Sequence, residues 1–369
     1  MNQRRISIAA PVFCGNEKKY VNDCLDTTWV SSIGKYVDEF EYKFAEFCQV
    51  KHAISCSNGT VALHLAMLAY DIKPGDEVIV PTFTYVATAN CVKYCGATPI
   101  FVDSDPETWN INPKLIEKVI SPKTKGIIVV HIYGHPVDMD PIIKIAKKHH
   151  LFLVEDAAEA HGAEYKGKKV GSVGDIGTFS FFGNKIITTG EGGMVTTNDN
   201  NLARLIRQMK GQGVDPNQRY WFPMVGYNYR MTNIEAAIGL AQLEKIEWHT
   251  KQRQRIANHY KQRLSVDPRL IIQPQMSYAK NSYWMISVLL SNDMPERSIV
   301  MNRMDQKGIE TRPFFYPMHV LPMYKENQLQ SSFPVANSIY LRGLNLPSSG
   351  SLSNEELDYI CDSLLECVK

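Results

Sequence analysis

Short apolar segments alternate with helical patterns between residues 50 and 200, and this alternation restricts the fold more than any other feature of the chain. Segments such as GIIVV and LFLVED show little polar alternation, which is typical of strands buried on both faces of a parallel sheet. We therefore predict an α/β fold with a mostly parallel mixed sheet that binds ligands at the carboxyl ends of its strands. The seven predicted strands are His52–Cys56, Glu77–Val80, Ile100–Asp103, Gly126–His131, Phe152–Asp156, Thr178–Phe182 and Gly193–Thr197.

A smaller C-terminal α+β domain is predicted to follow, so that the two domains comprise residues 1–231 and 232–369. Capping-box patterns, in which a Ser or Thr precedes a Glu by three positions, mark two helix starts in this region, at Thr232 and at Ser353. The elements predicted here are a helical pattern from Thr232 to about Leu264, a strand at Tyr283–Leu290, a helix at Glu296–Lys307 and a final helix after Ser353.

The charge balance argues against nucleic acid and membranes as partners. The 369 residues include 40 basic and 38 acidic ones, without a long run of either sign. No apolar stretch reaches the roughly 18 residues of a membrane span, and no secretory signal is evident, so we expect a cytoplasmic location. Cys91 and Cys95 lie four apart on a predicted helix, but none of the eight cysteines forms a CxxC pair. Reduced thiols are the favoured interpretation, and we predict no metal site.

Asp156 ends the apolar segment LFLVED and is the first candidate for catalysis. A carboxylate at the carboxyl end of a buried strand stands at the edge of the sheet where ligands bind. In a pyridoxal phosphate site it would keep the pyridine nitrogen protonated, so that the ring can accept electrons from the reacting carbon. An Asp that only caps the following segment, AAEAHG, is the alternative.

Lys185 follows in the segment TFSFFGNK and precedes the glycine-rich run TTGEGG. A lysine that forms a Schiff base must be neutral near pH 7, and an apolar pocket lowers its pKa in that direction. The alternative is a solvated surface lysine, although the neighbouring phenylalanines are unusual for one. The glycine-rich run lacks the GK[ST] of a P-loop, so a nucleotide-hydrolysing site is not favoured.

Two further segments complete an ordered series of candidates. Ser57–Thr60 (SNGT) lies between a predicted strand and helix, where free amides at a helix N-terminus suit a phosphate, although an ordinary N-cap is an equal alternative. Tyr85 follows the strand EVIV, where an aromatic ring could stack on a flat cofactor or pack in the core. The order of phosphate turn, aromatic residue, strand-end Asp and Lys is typical of a fold-type I pyridoxal phosphate enzyme.

The chain resembles the sugar aminotransferases of the DegT/DnrJ/EryC1/StrS family over roughly residues 5 to 365. These enzymes have the type I fold, with a large domain around a seven-stranded sheet and a smaller C-terminal domain, and they use pyridoxal 5'-phosphate. The stretches that carry the resemblance are SNGT (57–60), PGDEVIVPTFTYVATAN (74–90), HIYG (131–134), VEDAAEAHGA (154–163), GDIGTFSFFGNKIITTGEGGMV (174–195) and GYNYRMTNIEAAIGLAQL (226–243).

The resemblance implies a role for each residue that matches a family motif. The reaction would be a two-step transfer, usually from L-glutamate, and a homodimer would be the smallest active unit because its subunits share their active sites. The implied roles are Schiff-base lysine and proton shuttle for Lys185, contact with the pyridine nitrogen for Asp156, ring stacking for Tyr85, phosphate binding for Gly59, Thr60 and Ser180, and phosphate binding from the partner subunit for Asn228.

The implied substrate is a nucleotide-linked keto sugar. Segments 9–21, 26–41, 211–233 and 312–319 favour a branch of the family that aminates a GDP-linked 4-keto-6-deoxy sugar; a UDP- or dTDP-linked sugar is the alternative. Many members have Gln or His in place of Glu159, which would contact either the cofactor near its 3' oxygen or a sugar hydroxyl. The candidates for substrate binding are His161, Arg219, Tyr220, Tyr316 and His319.

Two of these substrate candidates have equally simple structural interpretations. Arg219 offers a planar set of donors for a diphosphate, but it could also be a surface residue before an aromatic cluster. His319 could be a core histidine. A regulator that binds the cofactor without turnover, and a dehydratase with His in place of the lysine, are further alternatives for the whole chain. The presence of Lys185 together with Asp156 argues against both.

Overall fold

The computed structural model describes residues 5–327 and 333–369. Strands of five to seven residues form the large sheet, and shorter strands form two smaller sheets. The strands in the described part of the chain are β1 (His52–Cys56), β2 (Glu77–Pro81), β3 (Thr98–Val102), β4 (Thr124–Val130), β5 (Phe152–Asp156), β6 (Glu164–Tyr165), β7 (Lys168–Lys169), β8 (Ile176–Ser180), β9 (Gly193–Thr197), β10 (Leu270–Ile272), β11 (Ala279–Lys280), β12 (Ile286–Leu290), β13 (Arg312–Pro313) and β14 (Gly343–Leu346).

The helices cover both faces of the large sheet and one side of the C-terminal region. Both predicted capping boxes are present, at Thr232 and at Ser353. The α-helices in the described part of the chain are α1 (Glu17–Asp26), α2 (Lys35–Cys48), α3 (Gly59–Ala69), α4 (Ala87–Tyr94), α5 (Pro113–Ile116), α6 (Met139–Lys148), α7 (Asn200–Lys210), α8 (Asn233–Leu243), α9 (Ile246–Leu264), α10 (Arg297–Gln306), α11 (Pro334–Arg342) and α12 (Asn354–Cys367).

The large sheet has the strand order β1-β9-β8-β5-β4-β2-β3. β9 runs opposite to the other six strands, so the predicted mostly parallel, seven-stranded mixed sheet is confirmed. Successive residues of β4 pack into different cores: Ile128 and Val130 face one cluster, and Ile127 and Val129 face another. The apolar run GIIVV therefore has no polar alternation because both of its faces are covered.

The C-terminal region contains an antiparallel sheet, β10-β12-β14-β13, with its own apolar cluster. The helical pattern predicted from Thr232 to Leu264 is two helices, because the chain leaves helical geometry at Lys245. This change lets α8 pack on α1 and α2, while α9 packs on α12. Residues of α8 therefore belong to the core of the large sheet, and the division at residues 231/232 stays a prediction.

The parallel strands bring several chain segments to one edge of the large sheet. The carboxyl ends of β1, β2, β4, β5 and β8 lie at this edge, and the antiparallel strand β9 begins there. Within residues 5–327 and 333–369, no group of three or more His, Cys, Asp or Glu residues could hold a metal ion. No helix in those ranges is long and apolar enough to cross a membrane, and all eight cysteine thiols are free.

Gly126 of β4 leaves space for the side chain of Phe152 on the neighbouring strand β5. The ring of Phe152, its partner across the two strands, occupies the space that a Cβ at position 126 would take, and it stacks on Tyr70 at 4.2 Å. We predict that Gly126→Ala lowers the free energy of unfolding by about 1–3 kcal/mol, because the ring must move. Denaturant titration should show that Gly126→Ala lowers the free energy of unfolding by less in a Phe152→Leu background than in the wild type. Equal losses of stability in the two backgrounds would contradict this explanation.

Candidate active site

A cavity of about 720 Å³ opens at the catalytic edge of the large sheet, which we define as the edge formed by the carboxyl ends of β1, β2, β4, β5 and β8. Its walls come from distant parts of the chain, including α3, the segment after β2 and the C-terminal strands β13 and β14. The size suits a cofactor together with part of a substrate. The residues predicted from sequence that line it are Gly59, Thr60, Tyr85, Asp156, Glu159, Ser180 and Lys185.

One end of the cavity is a phosphate-sized cradle. Asn58 caps α3 by accepting the amide of Val61 at 3.0 Å, and Gly59 and Thr60 form the preceding part of the same turn. A Cβ on Gly59 would lie 2.6 Å from the Cβ of Ser180, so only glycine lets this backbone and the Ser180 hydroxyl approach each other. Free helix amides, a helix dipole and a hydroxyl together form a site for an anion.

Asp156 lies at the carboxyl end of β5 and is buried at the cavity wall. Burial raises the pKa of its carboxyl above the ordinary value, and two hydrogen bonds oppose this effect: Thr88 Oγ1 donates to Oδ2 at 2.8 Å, and the Ala158 amide donates to Oδ1 at 3.2 Å. The carboxylate is therefore fixed in position, and a cationic ring nitrogen in the cavity would restore its ordinary acidity.

The neighbouring carboxylate, Glu155, points away from this cavity. Its oxygens accept the amides of Gly171, Val173 and Gly174 at 2.7–2.9 Å, and His131 Nε2 lies 3.0 Å away. Because His131 Nδ1 accepts the Val137 amide, Nε2 is the protonated nitrogen and donates to Glu155. Glu155 therefore holds the loop at residues 171–174, whereas Asp156 faces the cavity.

Lys185 lies on the loop between β8 and β9 with its Nζ 4.0 Å from the centre of the Trp284 ring. Removal from water lowers the pKa of the amine, and the negative charges of Glu159 and Asp156 oppose that shift. Trp284 is itself fixed, because its indole N–H donates to the Asn184 carbonyl at 2.8 Å. The sequence-predicted amine and carboxylate thus share one cavity.

Glu159 lines the same cavity as this amine. Its Oε2 accepts the Tyr133 amide at 2.7 Å, and burial raises the pKa of the carboxyl to about 7, against the opposing charge of Lys185. Tyr133 has a left-handed backbone conformation, with φ at 55°, which is uncommon for a bulky residue. A strained turn therefore presents its N–H to this carboxylate.

Three of the predicted residues lie on the segment after α7 and do not line the cavity. Asn228 is exposed and its Oδ1 accepts from Arg230 at 3.0 Å. The adjacent Tyr229 carbonyl accepts the Ser57 amide, so the main chain passes beside the start of α3. Arg219 stacks on the exposed ring of Tyr220. Their proposed contacts with cofactor and substrate stay predictions.

The remaining three predicted residues also lie outside the cavity lining. His161 is buried between Phe179 and Phe181, and burial lowers its pKa to about 3. His319 is buried with both nitrogens occupied, by Thr82 Oγ1 at 2.6 Å and Asn337 Oδ1 at 2.9 Å, which matches the core-histidine alternative. Tyr316 is exposed beside Tyr340.

Several lining residues were not singled out from the sequence. Trp284 lies in the predicted strand Tyr283–Leu290, and Asn345 lies in a segment for which no element was predicted; only the packing of the C-terminal strands brings both side chains to the cavity. Arg312 lies in the quoted segment 312–319 and supplies a second cation to the lining. Thr88 lies behind the lining, in the quoted segment 74–90, where it donates to Asp156; its spacing of four residues from Thr84 was the only signal for the contact between the two threonines.

Comparison with known proteins identifies the family. The model of the DegT/DnrJ/EryC1/StrS aminotransferase family matches residues 13–365. The chain belongs to this family. It is 52% identical to the GDP-perosamine synthase of Caulobacter vibrioides over 362 residues, which cover 98% of this chain and 97% of that one. It is also 52% identical to the GDP-perosamine synthase of Escherichia coli O157:H7 over 98% of both chains.

The fold of this DegT-family aminotransferase is shared with solved structures. Spr1654 from Streptococcus pneumoniae in its PLP form superposes with a TM-score of 0.94 at 26% identity, over 99% of this chain and 98% of that one. Pyridoxal phosphate is the cofactor of the family, and this chain is a pyridoxal phosphate-dependent aminotransferase. Its cavity fits the group, because it combines an anion cradle that a Cβ on Gly59 would fill, a fixed carboxylate and an enclosed amine.

The hydrogen bond from Thr88 to Asp156 is expected to influence the pKa of the Asp156 carboxyl. The Thr88 hydroxyl stabilises the ionised carboxylate, so Thr88→Val should raise the pKa of Asp156 further above its ordinary value. Since the ionised form is the one that acts, the acidic limb of the kcat/KM profile of the aminotransferase should move to higher pH. A charged hydrogen bond of about 1.5 kcal/mol corresponds to about one pH unit.

Thr178→Val is the matched control for this measurement. Thr178 is also a buried threonine near Asp156, but its hydroxyl donates to the main-chain carbonyl of Glu155 and not to the carboxylate. We expect its acidic limb to lie close to that of the wild type. An unchanged profile for Thr88→Val, or equal shifts for both variants, would show that the Thr88 hydroxyl does not set the acidity of Asp156.

Proposed function

We propose that this enzyme transfers an amino group from L-glutamate to C4 of GDP-4-keto-6-deoxy-D-mannose and so forms GDP-perosamine for surface polysaccharide. The observation that carries the proposal is the identity of 52% to two GDP-perosamine synthases over nearly the whole chain. The cavity that contains Lys185 and Asp156 supports turnover and disfavours a regulator without activity. We also propose a cytoplasmic location and no nucleic-acid or membrane partner, in keeping with the balanced charge.

Each site residue would have a different role in the amino transfer. Pyridoxal phosphate, when bound, supplies an electron-accepting ring that stabilises negative charge at the carbon from which a proton is removed. Asp156 would hold the proton on the ring nitrogen, and Lys185 Nζ would attach the cofactor and then carry a proton between the reacting atoms. Gly59, Thr60 and Ser180 would bind the phosphate, while Tyr85 would cover one face of the ring.

The anionic substrates need cations, and the cavity offers one besides Lys185. Arg312 lines it with a planar guanidinium, whose ion pair with Glu310 is long, at 3.4 Å. A carboxylate of glutamate or a diphosphate oxygen of the sugar nucleotide can replace Glu310 as the partner of the Arg312 guanidinium. A UDP- or dTDP-linked 4-keto-6-deoxy sugar is the second candidate substrate, because the chain is also 37% identical to a dTDP-3-amino-3,6-dideoxy-alpha-D-galactopyranose transaminase of Aneurinibacillus thermoaerophilus over 93% of both chains.

A homodimer with shared active sites is part of the proposal. The segment after α7 exposes Tyr220, Trp221, Phe222 and Val225, the last with 85% of its surface accessible. Exposed apolar patches of this kind mark protein interfaces. Tyr85 and Phe182, at the cavity, are also exposed, so a second copy of the chain would cover both patches. Asn228 of the partner subunit would then reach the phosphate.

An amination assay tests the substrate. With L-glutamate as donor, kcat/KM should be highest for the GDP-linked 4-keto-6-deoxy sugar and lower for the UDP- and dTDP-linked ones. Lys185→Ala is the control: it should lose turnover and the absorption of the cofactor linked to the lysine. Preference for a UDP or dTDP sugar would contradict the GDP assignment, and turnover by Lys185→Ala would contradict the role of the lysine.

A mixing experiment tests the shared site. Lys185→Ala and Asn228→Ala homodimers should each be inactive or weak, but after exchange of subunits part of the activity should return. In such a heterodimer one site combines an intact Lys185 with an intact Asn228 of the partner subunit. If Asn228 acted within its own chain, no site would be complete and no activity would return. Lys185→Ala mixed with the double variant Lys185→Ala/Asn228→Ala is the matched control, since none of its sites contains the lysine.

A further inference from the structure

Trp284 contacts the lysine loop at two points. Its ring covers the amine of Lys185, with Nζ 4.0 Å from the ring centre, and its indole N–H donates to the carbonyl of Asn184, the preceding residue, at 2.8 Å. In the part of the chain that the structure describes, residues 5–327 and 333–369, Nζ takes part in no hydrogen bond and has no carboxylate oxygen within 4.0 Å. Among these residues, the indole is therefore the group that locates the end of the lysine side chain.

Trp284 is itself held at its main chain and at its ring. The buried guanidinium of Arg253 donates from Nη1 to the Trp284 carbonyl at 3.1 Å. The ring of Tyr133 stacks on the indole, with 6.3 Å between the ring centres and 22° between the ring planes. Trp284 is only 5% exposed, so it presents a fixed surface to the amine.

Two turns with left-handed residues position this tryptophan. Tyr283, directly before it, has φ at 50°, and Tyr133 on the turn after β4 has φ at 55°, both uncommon for bulky residues. The Ser282 amide donates to the Gly134 carbonyl at 3.1 Å, and a Cβ on Gly134 would lie 2.9 Å from the amide nitrogens of Tyr283 and Trp284. The two turns therefore pack directly on each other, and this contact brings the indole to the catalytic edge.

The ionisable groups around the amine are separate from the indole. Asp156 and Glu159 carry the negative charges that favour the ammonium, whereas removal from water disfavours it. Burial keeps His161 neutral by lowering its pKa to about 3. The ionisable groups that share the cavity with Lys185 are Tyr85, Tyr94, Asp156, Glu159, Glu191 and Arg312. Replacement of Trp284 removes none of these groups, so a resulting change in the acidity of the amine reports the contribution of the ring.

An aromatic ring distinguishes the two forms of an amine. The negative potential of its face attracts an ammonium, most strongly for tryptophan and where water is excluded, and a neutral amine lacks the charge on which this attraction depends. Trp284 combines such a face with a hydrogen bond to the loop that carries the lysine. The indole can therefore favour the protonated amine and restrict its position at the same time.

We propose that Trp284 is a positioning residue that holds the ammonium form of Lys185 in the cavity when the amine is free of the cofactor. The ring gives the charged nitrogen a fixed place, and the indole N–H ties the ring to the main chain beside the lysine. The nitrogen then stays close to the reacting atoms while it carries a proton. This inference rests on the proposed attachment of the cofactor to Lys185 and on the proposed role of that lysine as a proton carrier.

Trace labelling of the free amine tests the inference in the loaded enzyme. Pyridoxamine 5'-phosphate has its own amino group, so enzyme loaded with this form of the cofactor leaves Lys185 unattached. Acetic anhydride acetylates the neutral amine, and peptide mass spectrometry of Lys185 over a range of pH gives the pKa of that amine. Trp284→Leu removes the ring that favours the ammonium, so this pKa should fall by about 0.5–1.5 pH units.

Two further variants separate the ring from its surroundings. Trp284→Phe keeps a weaker aromatic face but has no donor for Asn184, so the pKa of Lys185 should lie between those of the wild type and Trp284→Leu. Phe315→Leu is the matched control, because Phe315 also lines the cavity but its ring contacts Tyr85 and Tyr133. Its Lys185 should have the wild-type pKa. If Trp284→Leu does not bind pyridoxamine 5'-phosphate, the shift in Trp284→Phe carries the test.

The possible results separate this inference from the proposed function. An unchanged or raised pKa in both Trp284 variants, or an equal fall in Phe315→Leu, would overturn the role of Trp284 and leave the aminotransferase assignment intact. If pyridoxal 5'-phosphate did not protect Lys185 from acetylation, the proposed attachment itself would be wrong. Protection by pyridoxal 5'-phosphate, together with a fall confined to the Trp284 variants, would support both.

Discussion

The active site depends on keeping one amine and two carboxylates together in one cavity, where burial disfavours the charged form of each. Each charge would be costly there alone; the amine stabilises both carboxylates, although the two carboxylates repel each other. Burial lowers the proton affinity of Lys185 and raises that of Glu159, so the two groups approach each other in acidity. Asp156 differs from Glu159 in that both of its oxygens accept hydrogen bonds, from Thr88 and from Ala158. The rest of the fold holds these three side chains in place.

The large sheet holds them in place because its parallel strands end at the same edge. Several of the strands that end at the catalytic edge each deliver a different element of the site: a helix start after β1, an aromatic residue after β2 and a carboxylate at the end of β5. The C-terminal strands then close the cavity with Trp284, Arg312 and Asn345. Neither the large sheet nor the C-terminal region contains the site alone.

The sequence was sufficient to predict the parts of the molecule that local patterns determine. The seven strands of the large sheet follow from apolar runs, and Lys185 and Asp156 follow from their motifs; both lie in the cavity. The break at Lys245 was missed because helical periodicity continues on either side of it while the packing partner changes. Trp284 was missed because its role arises from a contact with Asn184, which is distant in the sequence.

The reversed direction of β9 has a consequence for how reactivity develops during folding. Because β8 and β9 pair as antiparallel neighbours, Ser180 opposite Gly193, the loop that bears Lys185 is a hairpin connection built from nearby residues. Such local structure forms early, whereas the docking of Trp284 closes a much longer loop. We therefore expect the amine to remain a hydrated ammonium until the indole docks, and to gain its nucleophilic character only after the C-terminal region has closed the cavity.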